Sequence, residues 1–98
     1  MLIQISFKHM KSSDHLKEYA NEKSERLKKY FDGKIHITWT LSVEKAGHIA
    51  HCHLVGNHMD YFGEGTEENM HAAIDTTIDR IEAQIRKHKE IVTKHHPH

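Results

Sequence analysis

Thr66–Lys94, TEENMHAAIDTTIDRIEAQIRKHKEIVTK, decides the reading of this chain. Its apolar positions, Met70, Ala73, Ile74, Thr77, Ile78, Ile81 and Ile85, recur every three or four residues and form one stripe along a helix. Gly65 and Thr66 are expected to stop a preceding strand and supply the N-cap. Glu67 and Glu68 then fall in the first turn, where the helix dipole favours anions, and Arg86, Lys87 and Lys89 lie toward the other end. A single apolar stripe needs a sheet to cover it. At about 1.5 Å per residue the helix is roughly 40 Å long, more than a small domain is wide, so its basic end projects.

Upstream, the sequence supplies that sheet. Leu2 to Phe7 alternates, with Ile3, Ile5 and Phe7 on one side and Gln4 and Ser6 on the other. Ser12 or Ser13 caps a first helix whose apolar positions are Leu16, Tyr19, Ala20, Leu27 and Tyr30 or Phe31, and Asp32-Gly33 ends it. Ile35, Ile37, Trp39, Leu41 and Val43 alternate with His36, Thr38, Thr40 and Ser42 in the clearest strand. After a turn at Lys45-Ala46-Gly47, Ala50, Cys52 and Leu54 alternate with His51 and His53. Gly56-Asn57 turns again, and Met59 to Gly63 makes a short fourth strand that Gly63 and Gly65 weaken. One buried and one wet face predict an antiparallel sheet. The fold class is α+β, in the order β-α-β-β-β-α: a four-stranded sheet with both helices packed on one face. Residues 1–98 form one domain, in which His95-His96-Pro97-His98 is expected to fray.

A chain of 98 residues with 37% hydrophobic content supports one modest core. Cys52 has no thiol partner, which excludes an internal disulfide, fits a reducing cytosol and marks a small core residue. No stretch has the length and apolarity of a membrane span, and no leader precedes the first strand, so a cytoplasmic protein is expected. Formal net charge is zero, but it is unevenly spread. Residues 1–43 carry eight Lys/Arg against five Asp/Glu, residues 44–79 one against seven, and residues 80–98 five against two. Two basic segments around an acidic one give a dipolar surface that attracts phosphate on one face.

The side chains offer three chemistries. His36, His51 and His53 share the wet sheet face and are metal-ligand candidates, although a solvated His/Thr-rich face is the plainer account; a small cytosolic metal-binding protein built on His51 and His53 is the alternative function. Catalysis lacks a nucleophile with a base. Asp75 and Asp79 read as a Lys/Arg-paired solvated face, and Gly63-Glu64-Gly65 lacks the rest of a nucleotide fingerprint, so no enzyme, cofactor or small-molecule substrate is expected. The third is a basic ridge. Lys23, Arg26 and Lys29 repeat every three residues on the first helix, and Arg80, Arg86 and Lys87 run along the second. Side by side, two such helices meet successive phosphates of structured RNA without reading bases.

Glu68-Asn69-Met70-His71-Ala72-Ala73-Ile74-Asp75 and Ala83-Gln84-Ile85-Arg86-Lys87-His88-Lys89 resemble the second-helix signature of the ribosome hibernation promoting factor and ribosome-associated inhibitor family. That family is also described as sigma-54 modulation or ribosomal subunit interface proteins. Leu27-Lys28-Lys29-Tyr30-Phe31-Asp32 and Val43-Glu44-Lys45 are similar to its first-helix and second-strand ends, so the resemblance covers nearly the whole chain. It implies a fold similar to double-stranded RNA-binding domains. It further implies binding between the head and body of the small ribosomal subunit, occlusion of the messenger channel and tRNA sites, and arrest of translation under stress or in stationary phase. The basic positions it carries over are Lys23, Arg26, Lys29, Lys45, Arg80, Lys87 and Lys89. Where family members commonly have arginine this chain has Ala83, and Arg86 is the expected substitute. Ending at His98, the sequence is similar to the short form, which favours pairing of inactive ribosomes together with a ribosome modulation factor.

Overall fold

The computed structural model describes residues 1–56 and 58–95, with side chains through residue 89. Strand β1 (Leu2–Lys8) is followed by helix α1 (Asp14–Glu25), a 3-10 turn (Lys28–Tyr30), strands β2 (His36–Glu44), β3 (Gly47–Gly56) and β4 (Met59–Glu67), and helix α2 (Met70–His95). The four strands lie in the order β1-β2-β3-β4. Pairs β2-β3 and β3-β4 are antiparallel, but β1 runs parallel to β2, so the sheet is mixed rather than antiparallel. A parallel pair needs a crossover between its strands, and α1 supplies it.

The expected alternation holds except at the end of β2, where Val43 is exposed beyond the helices and Ser42 is buried. Ile37, Trp39, Leu41, Ala50, Cys52 and Leu54 are fully buried on the helix side, facing Ile74, Ile78, Ile81 and Ile85 of α2. The Trp39 indole donates to Ser24 Oγ at 2.8 Å. Burial pushes the Cys52 thiol up to about 12, which makes it an inert core group. Both helices start at the end of the sheet where β1, β2 and β4 finish and run side by side in the same direction. The opposite sheet face carries Gln4, Lys8, His36, Thr38, Thr40, His51, His53 and Phe62.

Helix boundaries differ from the sequence expectation at both helices. Ser13 is the α1 cap, accepting from Leu16 N at 3.2 Å, but α1 ends at Glu25 instead of continuing to Tyr30 or Phe31. The buried Ser24 hydroxyl donates back to Ala20 O at 2.7 Å, and the amides of Arg26 and Leu27 turn to carbonyls three residues back, tightening the chain into the 3-10 turn. Helix α2 begins at Met70, because β4 stays paired with β3 as far as Glu67. Asn69 is its cap: Oδ1 accepts from Ala72 N at 2.8 Å. Glu67 and Glu68 therefore precede the helix, and Glu67 instead accepts from Thr76 Oγ1 at 2.9 Å.

Gly63 and Gly65 do not end the fourth strand. A Cβ on Gly63 would come within 2.7 Å of Ile81 Cγ1, and one on Gly65 within 2.6 Å of Ala73 O. Both glycines let the α2 backbone settle directly on β4. There Thr77 shares its hydroxyl hydrogen between Ala73 O at 2.7 Å and Ala50 O at 3.1 Å. His95 closes α2; Asn57 of the turn expected at Gly56-Asn57, and residues 96–98 of the expected frayed end, lie outside the described residues.

Candidate nucleic-acid interface

Parallel helices on one sheet face bring their flanks together, and that seam holds most of the predicted basic ridge. Asp75, Asp79, Glu82 and Arg86 recur at four, three and four residues along the α2 flank facing α1. Opposite them, Lys23 Nζ lies 3.5 Å from Asp75, and Arg26 Nη2 lies 3.0 Å from Asp79 and 2.8 Å from Glu82. Lys29 Nζ is 4.0 Å from Glu82. Tyr19 donates its hydroxyl to Asp75 at 2.7 Å and Tyr30 to Glu82 at 2.8 Å. Asp75 and Asp79 are thus paired, as their spacing implied, but with cations of the other helix.

Glu82 is the centre of this network. It is only 4% exposed, and Arg86 Nη2 also reaches it at 3.1 Å. Burial raises its carboxyl, but hydrogen bonds from Arg26 and Tyr30 and the charges of Arg26 and Arg86 outweigh it and hold the group below the usual carboxylate range. The Glu82 hydrogen bond in turn raises the Arg26 guanidinium, and the bond to Asp75 raises the Tyr19 phenol. Sequence reasoning passed over Glu82 and read Tyr19 and Tyr30 only as apolar positions of the first helix. The available signal was the match between basic residues at 23, 26 and 29 and acidic ones at 75, 79 and 82.

The remaining basic positions do not join this seam. Arg80 and Lys87, seven residues apart, share the far flank of α2, roughly 120° around the helix from Arg86. Arg80 Nη1 donates to Glu64 O at 2.6 Å, and Gln84 one turn on donates to Phe62 O at 2.7 Å, so this flank covers the β4 edge. Lys89 lies with Nζ 5.9 Å from the centre of the Phe31 ring. Lys45 is exposed in the β2–β3 turn, at the end where both helices begin. The nine-residue β2, about 30 Å long, separates that end from the C-terminal ends of the helices. Ala83 is exposed between the two flanks, and Arg86, its expected substitute, turns toward Glu82.

The three candidate metal ligands do not converge. His36 bonds Gln4 at 3.0 Å, His53 bonds Asp60 at 2.6 Å, and His51 lies 3.6 Å from Glu64. Among the described residues, no group of three or more His, Cys, Asp or Glu is arranged to hold a metal ion. No helix among them is long and apolar enough to cross a membrane.

Residues 3–93 match the family model described as "Sigma 54 modulation protein / S30EA ribosomal protein". The chain belongs to this S30EA family. A ribosome hibernation promoting factor of Escherichia coli K12 is 32% identical over 97 residues, covering 97% of this chain and 100% of the relative. The factor of the same name from Azotobacter vinelandii is 31% identical over 90 residues, covering 92% of this chain and 84% of the relative. Among solved structures, the N-terminal domain of Thermus thermophilus Protein Y superposes with a TM-score of 0.82 at 25% identity, over 89% of this chain and 98% of that domain. A ribosomal subunit interface protein of Coxiella burnetii shares the fold, with a TM-score of 0.79 at 19% identity over 92% and 99% of the two chains. The S30EA architecture is therefore the mixed four-stranded sheet with two parallel helices seen here.

Proposed function

We propose that this S30EA protein is a cytoplasmic ribosome hibernation factor. It binds the small ribosomal subunit through rRNA phosphates, occupies the messenger channel and tRNA sites, stops translation and, with a ribosome modulation factor, favours pairing of inactive ribosomes under stress. It acts by occupancy and not by catalysis. The observation that carries this reading is the near full-length likeness, 32% identity over 97 residues, to a ribosome hibernation promoting factor. The cations fit the role. Arg26, Lys29 and Arg86 are paired at one end yet keep side-chain exposures of 41%, 64% and 64%, and Arg80 and Lys87 are exposed along the rest of α2. Lys23, Lys45 and Lys89 extend the basic surface to the seam and both ends of the domain.

The test is binding of the purified protein to isolated small subunits across a salt series. Each phosphate neutralised contributes about 0.7 to 0.9 to the slope of log affinity against log salt, so about six engaged cations give a slope of about −4 to −5. Absence of binding, or a slope near zero, overturns the reading.

A further inference from the structure

We infer that Glu82 is a positioning residue for phosphate recognition, a nearly buried carboxylate that holds Arg26 and Arg86 as one preformed guanidinium pair across the α1/α2 seam. The inference rests on the ribosome-binding reading above and names what orders part of that surface. Glu82 Oε1 meets Arg26 Nη2 at 2.8 Å and Arg86 Nη2 at 3.1 Å. Its Oε2 accepts from the Tyr30 hydroxyl at 2.8 Å, and the Tyr30 hydroxyl oxygen in turn accepts from Arg86 Nε at 3.3 Å. One carboxylate thus draws together two like charges from different helices and fixes the orientation of one through a phenol. Among the described residues, Nη1 of neither arginine enters a hydrogen bond. Those donors remain for an anion outside the seam.

Without Glu82 the two guanidinium groups repel each other and scatter over many rotamers, so that one or both no longer reach a phosphate in the complex. Simple charge counting predicts the opposite. Deleting an acid beside an RNA-binding surface raises its positive charge and strengthens attraction to phosphate. The two views therefore differ in sign.

The experiment measures binding of wild type, Glu82→Gln, Arg26→Ala/Arg86→Ala and the triple variant to small subunits over a salt series. Glu82→Gln is expected to bind at least about tenfold more weakly, with a slope shallower by about one to two, as the loss of one or two phosphate contacts requires. Added to the arginine pair, it should change neither quantity further. A merely structural role lowers the folded fraction, which scales affinity by a constant factor and leaves the slope untouched. An unchanged or steeper slope for Glu82→Gln overturns the inference, whatever its affinity. If Glu82→Gln does not fold, Glu82→Asp, which keeps the charge but withdraws it by one methylene, is measured instead: a shallower slope supports the inference and a wild-type slope overturns it. Failure of wild type to bind sinks the ribosome-binding reading itself. An unchanged slope for the arginine pair removes the seam from the RNA and sinks the positioning role alone.

Discussion

The helix seam and the open sheet face are both laced with acid–base pairs, and the shorter contact belongs to the weaker region. His53 approaches Asp60 at 2.6 Å, against 2.8 Å for Arg26 and Glu82. Yet the His53 and Asp60 side chains are 46% and 71% exposed, whereas that of Glu82 is 6% exposed. Water screens the first pair and competes for its hydrogen bonds, which leaves such contacts worth about 0–1 kcal/mol. In the seam, both oxygens of the nearly buried Glu82 carboxylate have protein partners, and removing those partners leaves a buried charge unpaired, which costs several kcal/mol. Burial, not distance, ranks these pairs.

The strongest way to break this comparison is to remove the floor beneath the seam. Ile78 is fully buried on the α2 stripe, between the flank that meets α1 and the flank over β4. Ile78→Asp puts a carboxylate with no partner among Ile74, Ile81 and the sheet, and a cost above about 4 kcal/mol is expected from an unpaired buried charge. Circular dichroism should then show no cooperative thermal transition. A folded Ile78→Asp protein would mean that α2 rests on a different face.

Acid sharpens the comparison at intermediate cost. The Glu82 carboxyl is held below its ordinary value of 4.5, so the unfolded chain takes up this proton before the folded one does. Its stabilisation is complete above about pH 4.5 and is lost as pH falls from there through the folded-state value. Thermal melts between pH 6 and pH 3, roughly bracketing that range, should show Tm falling more steeply in wild type than in Glu82→Gln. Parallel curves would show that Glu82 is not held low in the folded state.

Much of this was legible in the sequence, and the misses share a cause. The period-two strands and the stripe from Met70 to Ile85 report burial, so the architecture and the Trp39 core followed from them. Parallel pairing of β1 did not, because alternation shows which side is wet and not which way a neighbour runs. Gly63 and Gly65 read as strand breakers because propensity is local, whereas their use lies in the approach of α2. Arg26 and Arg86 were legible as basic residues. Glu82 escaped notice because a glutamate on a helix ordinarily faces water, and only the lateral fit of α1 to α2 buries it.

The smallest expected effect concerns the open face, and it decides which surface the protein uses. His51 and His53 line a shallow basin of about 610 Å³ with Lys8, Thr38, Thr40 and Phe62, so this side has the shape of a binding surface. Its charges do not favour RNA: Glu44, Asp60 and Glu64 stand beside His9, His53 and His51 and oppose a phosphate backbone at neutral pH. Replacing both histidines with alanine removes only exposed pairs, so stability should move by less than about 1 kcal/mol and inhibition of translation should match wild type. Charge reversal of Arg80 and Lys87 to Glu, both exposed on the flank of α2 away from Glu82, should abolish inhibition in the same assay at little cost in stability, since it turns two attractions for phosphate into repulsions. If the histidine variant loses inhibition while the charge-reversed helix keeps it, the RNA lies on the sheet and the helices serve only to hold the sheet's shape.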